Sequence, residues 1–158
     1  MLSDQQARTM LSLQSAMNAK VDPDWVAARY PYMRAVVIEA AEAIEHHGWK
    51  WWKKQEKDLP QLQMELIDIW HFLLSQILLN EGGSEPAALL KLNEQLKAIE
   101  NSNQVDFDGK SYTLSSMDLL EQIELLIGIS AARRIEMSVF ASIMSNCEMG
   151  WTELYCQY

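Results

Sequence analysis

Two pairs of carboxylates in this sequence have the residue types and the spacing of a metal-dependent enzyme site. Glu39 and Glu42 lie at positions i and i+3, and so do Glu65 and Asp68. Because such positions project from the same face of a helix, each pair presents its two carboxylates side by side. Their neighbours are almost all apolar, and a carboxylate at an apolar surface is costly unless a cation or a donor compensates it.

A divalent cation would neutralise all four acids. Mg²⁺ prefers oxygen ligands and completes its coordination with water and substrate phosphates. The two pairs therefore predict an enzyme that depends on Mg²⁺, with Mn²⁺ as a substitute, and that acts on a phosphate ester or anhydride. The alternative is that both pairs lie on ordinary solvated helix faces, which would make the chain a helical interaction module.

Other catalytic chemistries find little support. The histidines His46, His47 and His71 lack the further His or nearby Cys that a tetrahedral zinc site needs. No motif for a Ser or Cys nucleophile is present. The two cysteines, Cys147 and Cys156, have no framework spacing and are expected to be free thiols in a reducing compartment.

A segment rich in tryptophan and lysine, Gly48–Lys54, lies between the two acid pairs. Its lysines could meet phosphate oxygens as point charges, and a tryptophan could stack on a base. The alternative is a partly exposed loop whose tryptophans pack on the rest of the protein.

Composition indicates one helical domain over residues 1–158. Hydrophobic residues make up 49% of the chain, while only 6 Gly and 4 Pro are present. The net charge of −9 argues against nucleic-acid binding, which needs a basic surface. No signal segment and no membrane-spanning run is evident, so we expect a soluble, cytoplasmic protein without a membrane partner.

Apolar periodicity and capping residues predict an all-α fold, an antiparallel bundle of about five helices. The predicted helices cover about 4–20, 32–47, 59–80, 85–101 and 116–146. The first is predicted to bury Met10, Leu11, Leu13 and Met17. Residues 102–113 are predicted as a polar loop, and no run alternates strictly enough to predict a sheet.

The fifth predicted helix is apolar almost all round. A helix of this kind is buried on several sides, which in a chain of this size indicates an oligomer, most often a two-fold homodimer. We expect Ser116–Ser145 to form much of that interface. Within it, Arg133 and Arg134 point in different directions, and at least one should pair with an acid.

The order of the acid pairs, ExxE followed by ExxD, resembles the all-α nucleoside triphosphate pyrophosphohydrolases, the superfamily that includes MazG-type enzymes. Three further stretches resemble motifs of the dimeric all-α dUTPases. They are Leu13–Asn18 followed by Trp25, His47–Lys53 (HGWKWWK), and Glu65–Phe72 (ELIDIWHF).

The resemblance implies hydrolysis of dUTP, and of dUDP, to dUMP. It implies that the four acids hold Mg²⁺ and that Gln14 and Asn18 read the edge of the base. Trp49 would pack near the base, Lys53 would meet phosphates, and His71 would belong to the same substrate-binding set. A related pyrophosphatase acting on dCTP or on a modified nucleotide remains an alternative.

The sequence after Glu148 departs from the resembling family. That family carries a C-terminal motif with a Lys and an Asn that reach the nucleotide, and no counterpart follows Glu148. Positive charge at the phosphates would then be reduced. The departure implies a chain that is truncated or completes its site differently, and that binds Mg²⁺ but turns dUTP over slowly.

Overall fold

The computed structural model describes residues 1–158 and confirms the all-α class. The chain forms eight α-helices and one small hairpin, where about five helices and no sheet were predicted. The elements in chain order are α1 (Asp4–Val21), α2 (Trp25–Ala28), α3 (Tyr32–His47), α4 (Leu59–Asn80), α5 (Glu85–Ile99), β1 (Gln104–Phe107), β2 (Lys110–Thr113), α6 (Leu119–Ala131), α7 (Met137–Asn146) and α8 (Trp151–Gln157).

Helices α1, α3 and α4 match their predicted bounds because local signals fix their ends. Ser3 caps α1 in a capping box, accepting from the backbone N–H of Gln6 while the Gln6 side chain accepts from the backbone N–H of Ser3. Helix α3 ends at Gly48, whose φ of +86° is unfavourable for any residue with a Cβ. Asp58 caps α4 by accepting a backbone N–H of its first turn.

Helix α4 forms the centre of the fold and packs against α1, α3 and α5. Its fully buried Trp70 stacks on Phe140 of α7, with ring centroids 5.5 Å apart, and meets Trp151 of α8 edge-on at 5.6 Å. The indole N–H of Trp70 donates to the Met10 sulfur in α1 at 3.3 Å. By length and composition α4 could cross a membrane, but 61% of that stretch is buried inside the protein, as in the core helix of a bundle.

The predicted fifth helix, 116–146, is wrong: it is two helices, α6 and α7, separated by residues 132–136. Helix α6 is capped by Asp118, in a capping box with Glu121, and begins at Leu119, three residues after the predicted start at 116. The break occurs at Arg133, whose φ of +66° leaves the helical region. Arg134 stabilises it by pairing with Glu136 at 2.7 Å, which confirms the predicted arginine–acid pair.

The polar loop predicted over 102–113 is a hairpin, so the expectation of no sheet is also wrong. Strands β1 and β2 pair antiparallel, with Val105 opposite Tyr112. The turn is Asp108-Gly109, and both residues have positive φ, 51° and 73°, as a two-residue hairpin turn requires. Val105 is buried against the helical core, which explains why a four-residue strand is stable here.

The apolar surface that predicted a dimer is largely covered within the chain. Helix α6 packs against α3 and α7, and α7 also packs against α5. Leu126, Ile129 and Phe140 are each almost fully buried without any second copy. The apolar surface of residues 116–146 therefore gives no reason to expect a dimer, and the homodimer itself stays a prediction.

Candidate functional site

Three of the four predicted acids lie together between α3 and α4. The carboxylate oxygens of Glu39, Glu42 and Glu65 lie within 4.8 Å of one another. The i, i+3 spacing places Glu39 and Glu42 on one face of α3, and the close packing of α3 against α4 brings Glu65 to them. The spacing therefore predicted that these three acids meet, while their role as metal ligands stays a prediction.

Glu65 is the most buried member of this three-acid cluster. Only 6% of its surface is exposed, and its Oε2 atom is buried without a hydrogen-bond partner. The nearest basic group is His46, whose Nε2 atom lies 3.3 Å from the Glu65 Oε1 atom. A buried, unpartnered carboxylate oxygen is costly unless a ligand compensates it.

Burial and mutual proximity raise the pKa values of Glu39 and Glu65. Burial, the hydrogen bond with Glu65 and the Glu42 charge together raise the pKa of Glu39 to about 8, with burial as the largest cause. Burial also raises the pKa of Glu65 above its usual range. At neutral pH Glu39 therefore holds a proton that an ordinary surface glutamate has lost.

Asp68 lies at the rim and outside the three-acid cluster. It is solvent-exposed, although partial burial raises its pKa and the neighbouring His71 charge opposes that shift. Its charge still raises the pKa of Glu39 and of Glu65. The structure thus places Asp68 near the cluster without bringing its oxygens into it.

The donor set fits a hard divalent cation. All the clustered ligand atoms are carboxylate oxygens, which Mg²⁺ and Mn²⁺ accept, while zinc sites draw mainly on Cys and His. The unpartnered Glu65 Oε2 is one such donor with no other function in the structure. The ion could be held by Glu39, Glu42 and Glu65. Asp68 lies next to them at the rim of the cluster.

The predicted base-reading residues of α1 face the interior. Gln14 and Asn18 are 4% and 8% exposed, whereas Leu13 and Met17 are 52% and 48% exposed. The predicted burial of Leu13 and Met17 is therefore wrong. Two polar side chains take the inward positions because α4 offers them polar partners, chief among them His71.

These polar residues form one buried network between α1 and α4. The Gln14 amide nitrogen donates to Asn18 Oδ1 at 3.0 Å, and the Asn18 amide donates to the Ser75 hydroxyl at 3.1 Å. Gln14 Oε1 lies 2.7 Å from Nδ1 of His71. Burial lowers the pKa of His71, against the opposing charge of Asp68. The structure therefore joins three of the predicted substrate-binding residues in one array.

Tyr158 completes this array, and nothing in the local sequence pattern indicates it. Its ring stacks on His71 with centroids 4.2 Å apart and planes 20° apart. Its hydroxyl donates to Gln14 Oε1 at 2.6 Å and lies 3.2 Å from the backbone oxygen of Met10. Only the packing of α8 against the rest of the fold brings this residue to the site.

The tryptophan–lysine segment, Gly48–Lys54, makes fewer contacts with the rest of the protein. Trp49 is held to the end of α3 by a hydrogen bond from its Nε1 to Glu45 Oε1 at 3.0 Å. Its ring meets those of Trp51 and Trp52 edge-on, and these two are 86% and 60% exposed. Lys53 is exposed and makes no hydrogen bond or salt bridge, so its charge is available to an anionic ligand.

An open, largely apolar pocket of about 390 Å³ lies next to Glu39, and the sequence did not predict it. Tyr30, Ile38 and Phe72 form much of its wall, and Arg34 contributes a positive charge. The sequence did contain a sign of this pocket. Phe72 ends the ELIDIWHF stretch and lies on the same side of its helix as Glu65 and Asp68. Pockets of this size accept small-molecule ligands.

Comparison with known proteins is consistent with this geometry. A search of curated proteins finds no match. A sequence model described as dUTPase matches residues 6–158, which is essentially the whole chain and well beyond the first half that carries the recognisable motifs. The chain therefore belongs to the dUTPase family and is a nucleoside triphosphate pyrophosphatase of the dUTP diphosphatase type.

Proposed function

We propose that this enzyme hydrolyses dUTP, and also dUDP, to dUMP in a reaction that depends on Mg²⁺. The observation that carries the proposal is the three-acid cluster, whose oxygens lie within 4.8 Å of one another. The unpartnered, buried Oε2 of Glu65 supports it, because a solvated helix face leaves no such atom.

In this proposal Glu39, Glu42 and Glu65 hold the ion, and Asp68 contributes from the rim. When bound, Mg²⁺ supplies positive charge that offsets the phosphate charge and makes water more acidic. Glu39 must lose its proton to become a ligand, because its pKa of about 8 leaves it largely protonated at neutral pH. Cation binding is therefore expected to release protons.

The remaining residues would orient the nucleotide. Gln14 and Asn18 would meet polar atoms of the base, and this role is supported by the contacts that hold the Gln14 amide, to Asn18 at 3.0 Å and to His71 at 2.7 Å. Trp49 provides an aromatic surface at the end of α3, and Lys53 a free positive charge for phosphate oxygens. The apolar pocket beside Glu39 offers volume for the nucleoside.

We also propose a cytoplasmic homodimer with no nucleic-acid partner. The charge of −9 opposes binding to nucleic acid. Exposed apolar side chains at Leu13, Met17 and Val21 form a stripe along α1, at i, i+4 and i+8. A second copy could cover this stripe. Light scattering at micromolar concentration should show twice the mass of the chain, and a monomer would refute the dimer.

A nucleotide panel tests the catalytic proposal. The purified protein is incubated with dUTP, dUDP, dCTP and dTTP, with Mg²⁺, with Mn²⁺ and with EDTA, and the products are separated by chromatography. We expect dUMP from dUTP and dUDP in the presence of either metal, and none with EDTA. Faster hydrolysis of dCTP than of dUTP would refute the base assignment, and full activity in EDTA would refute the metal assignment.

A further inference from the structure

The hydrogen bonds around Gln14 leave its side chain with a free donor and no free acceptor. Gln14 Oε1 accepts from the Tyr158 hydroxyl at 2.6 Å and faces Nδ1 of His71 at 2.7 Å. An amide oxygen has two lone pairs, so both are occupied. The amide nitrogen uses one of its two N–H groups to donate to Asn18 at 3.0 Å. What remains free on Gln14 is one N–H.

Asn18 keeps both kinds of hydrogen-bonding capacity. Its Oδ1 accepts from Gln14 at 3.0 Å, and its Nδ2 donates to the Ser75 hydroxyl at 3.1 Å. The single proton of that hydroxyl goes to the backbone oxygen of His71 at 2.9 Å, a shorter distance than the 3.3 Å to Asn18 Oδ1. Asn18 therefore keeps one N–H and one lone pair, and Gln14 is the member of the pair that can only donate to an incoming base.

We propose that Tyr158 is a positioning residue that determines base choice, because with His71 it fixes Gln14 so that the amide offers a base its N–H. The inference rests on the proposed function of Gln14 as a base reader. A uracil edge carries carbonyl oxygens on both sides of N3, whereas cytosine carries an amino group in place of one of them. Gln14 thus favours a pyrimidine with a carbonyl at position 4 and sets donor against donor for cytosine.

Two further properties suit Tyr158 to this role. Its ring is fixed by stacking on His71 at 4.2 Å, independently of the hydroxyl. Burial raises the pKa of the Tyr158 hydroxyl well above its usual value, so the group stays protonated and able to donate at any physiological pH. Removal of the hydroxyl alone would therefore free one lone pair of Gln14 without removing the ring that packs on His71.

The test compares Tyr158→Phe with the control Tyr155→Phe. Both tyrosines lie at the C-terminal end of the chain, but the Tyr155 hydroxyl makes no hydrogen bond within the protein. Steady-state kcat/KM is measured for dUTP and dCTP, and calorimetry measures the binding of dUMP and dCMP without hydrolysis. One lost orienting hydrogen bond should reduce the preference for the uracil nucleotide about threefold to tenfold in Tyr158→Phe. Tyr155→Phe should keep the wild-type ratio.

The outcomes separate this inference from the proposed function. If Tyr158→Phe keeps the wild-type ratio of kcat/KM for dUTP to kcat/KM for dCTP, the inference is overturned. The proposed function still stands in that case, provided that the wild type hydrolyses dUTP. An equal loss for both nucleotides also overturns it, because that result describes a structural role only. A wild-type protein that neither binds nor hydrolyses these nucleotides overturns the proposed function, and the inference with it.

Discussion

Replacement of Glu39 by Gln should make the metal-free protein more stable while it weakens cation binding. Burial raises the pKa of Glu39 to about 8, from an ordinary value of 4.5. A group whose folded pKa exceeds its unfolded pKa loses protons more easily when unfolded, so the folded state is progressively destabilised as the pH rises between those two values. Gln at this position cannot ionise, and that destabilisation disappears.

The size of the effect follows from the shift. Each pKa unit corresponds to about 1.4 kcal/mol, but Glu39 is partly solvated and its charge is screened. We therefore expect Glu39→Gln to raise the free energy of unfolding at pH 8 without metal by about 1–3 kcal/mol. For a chain of this size that corresponds to a Tm increase of roughly 3–8 °C. Near pH 4 the two proteins should melt together, because both side chains are then neutral.

The assay is thermal unfolding, followed by circular dichroism at pH 4, 6 and 8, with EDTA and with Mg²⁺. Glu124→Gln is the control, since Glu124 is exposed on α6, outside the three-acid cluster and without a side-chain partner. Added Mg²⁺ should stabilise the wild type more at pH 8 than at pH 6, and should stabilise Glu39→Gln little. A Glu39→Gln protein that is less stable than wild type at pH 8 in EDTA would refute the reasoning.

Two further predictions follow from the site and the core. Gln14→Ala or Asn18→Ala should lower kcat/KM for dUTP, since unpaired polar atoms in a buried site cost about 1–3 kcal/mol; unchanged kinetics in both variants would exclude base reading there. Trp70→Ala should reduce the free energy of unfolding by about 3–5 kcal/mol in urea titrations, and a loss below 1 kcal/mol would contradict its place as the junction of four helices.

The sequence predicted those parts of the fold whose signals are local. The bounds of α3 and α4 were predicted because Gly48 and Pro60 mark their ends and apolar periodicity fills their interiors. The acid pairs could be predicted because residues at i and i+3 lie on the same face of any helix. Their meeting across α3 and α4 needed only the assumption that successive helices pack together.

Features that depend on distant contacts could not be predicted in this way. The break at Arg133 has no Gly or Pro to mark it, and Arg134 stabilises it through Glu136 and the backbone oxygen of Asp106 in the hairpin. The contact between Tyr158 and Gln14 joins opposite ends of the chain. The inward orientation of Gln14 also ran against the rule that apolar residues face the core.

The most direct test of the central claim is a calorimetric titration of Mg²⁺ into the wild type, Glu65→Gln and Glu124→Gln, with dUTP hydrolysis measured on the same samples. Glu65→Gln removes the buried charge that carries the unpartnered oxygen, while Glu124→Gln leaves the three-acid cluster unchanged. We predict saturable Mg²⁺ binding and dUMP formation in the wild type and Glu124→Gln, and the loss of both in Glu65→Gln. Wild-type binding and turnover in Glu65→Gln would contradict the assignment of the metal-dependent site to this cluster.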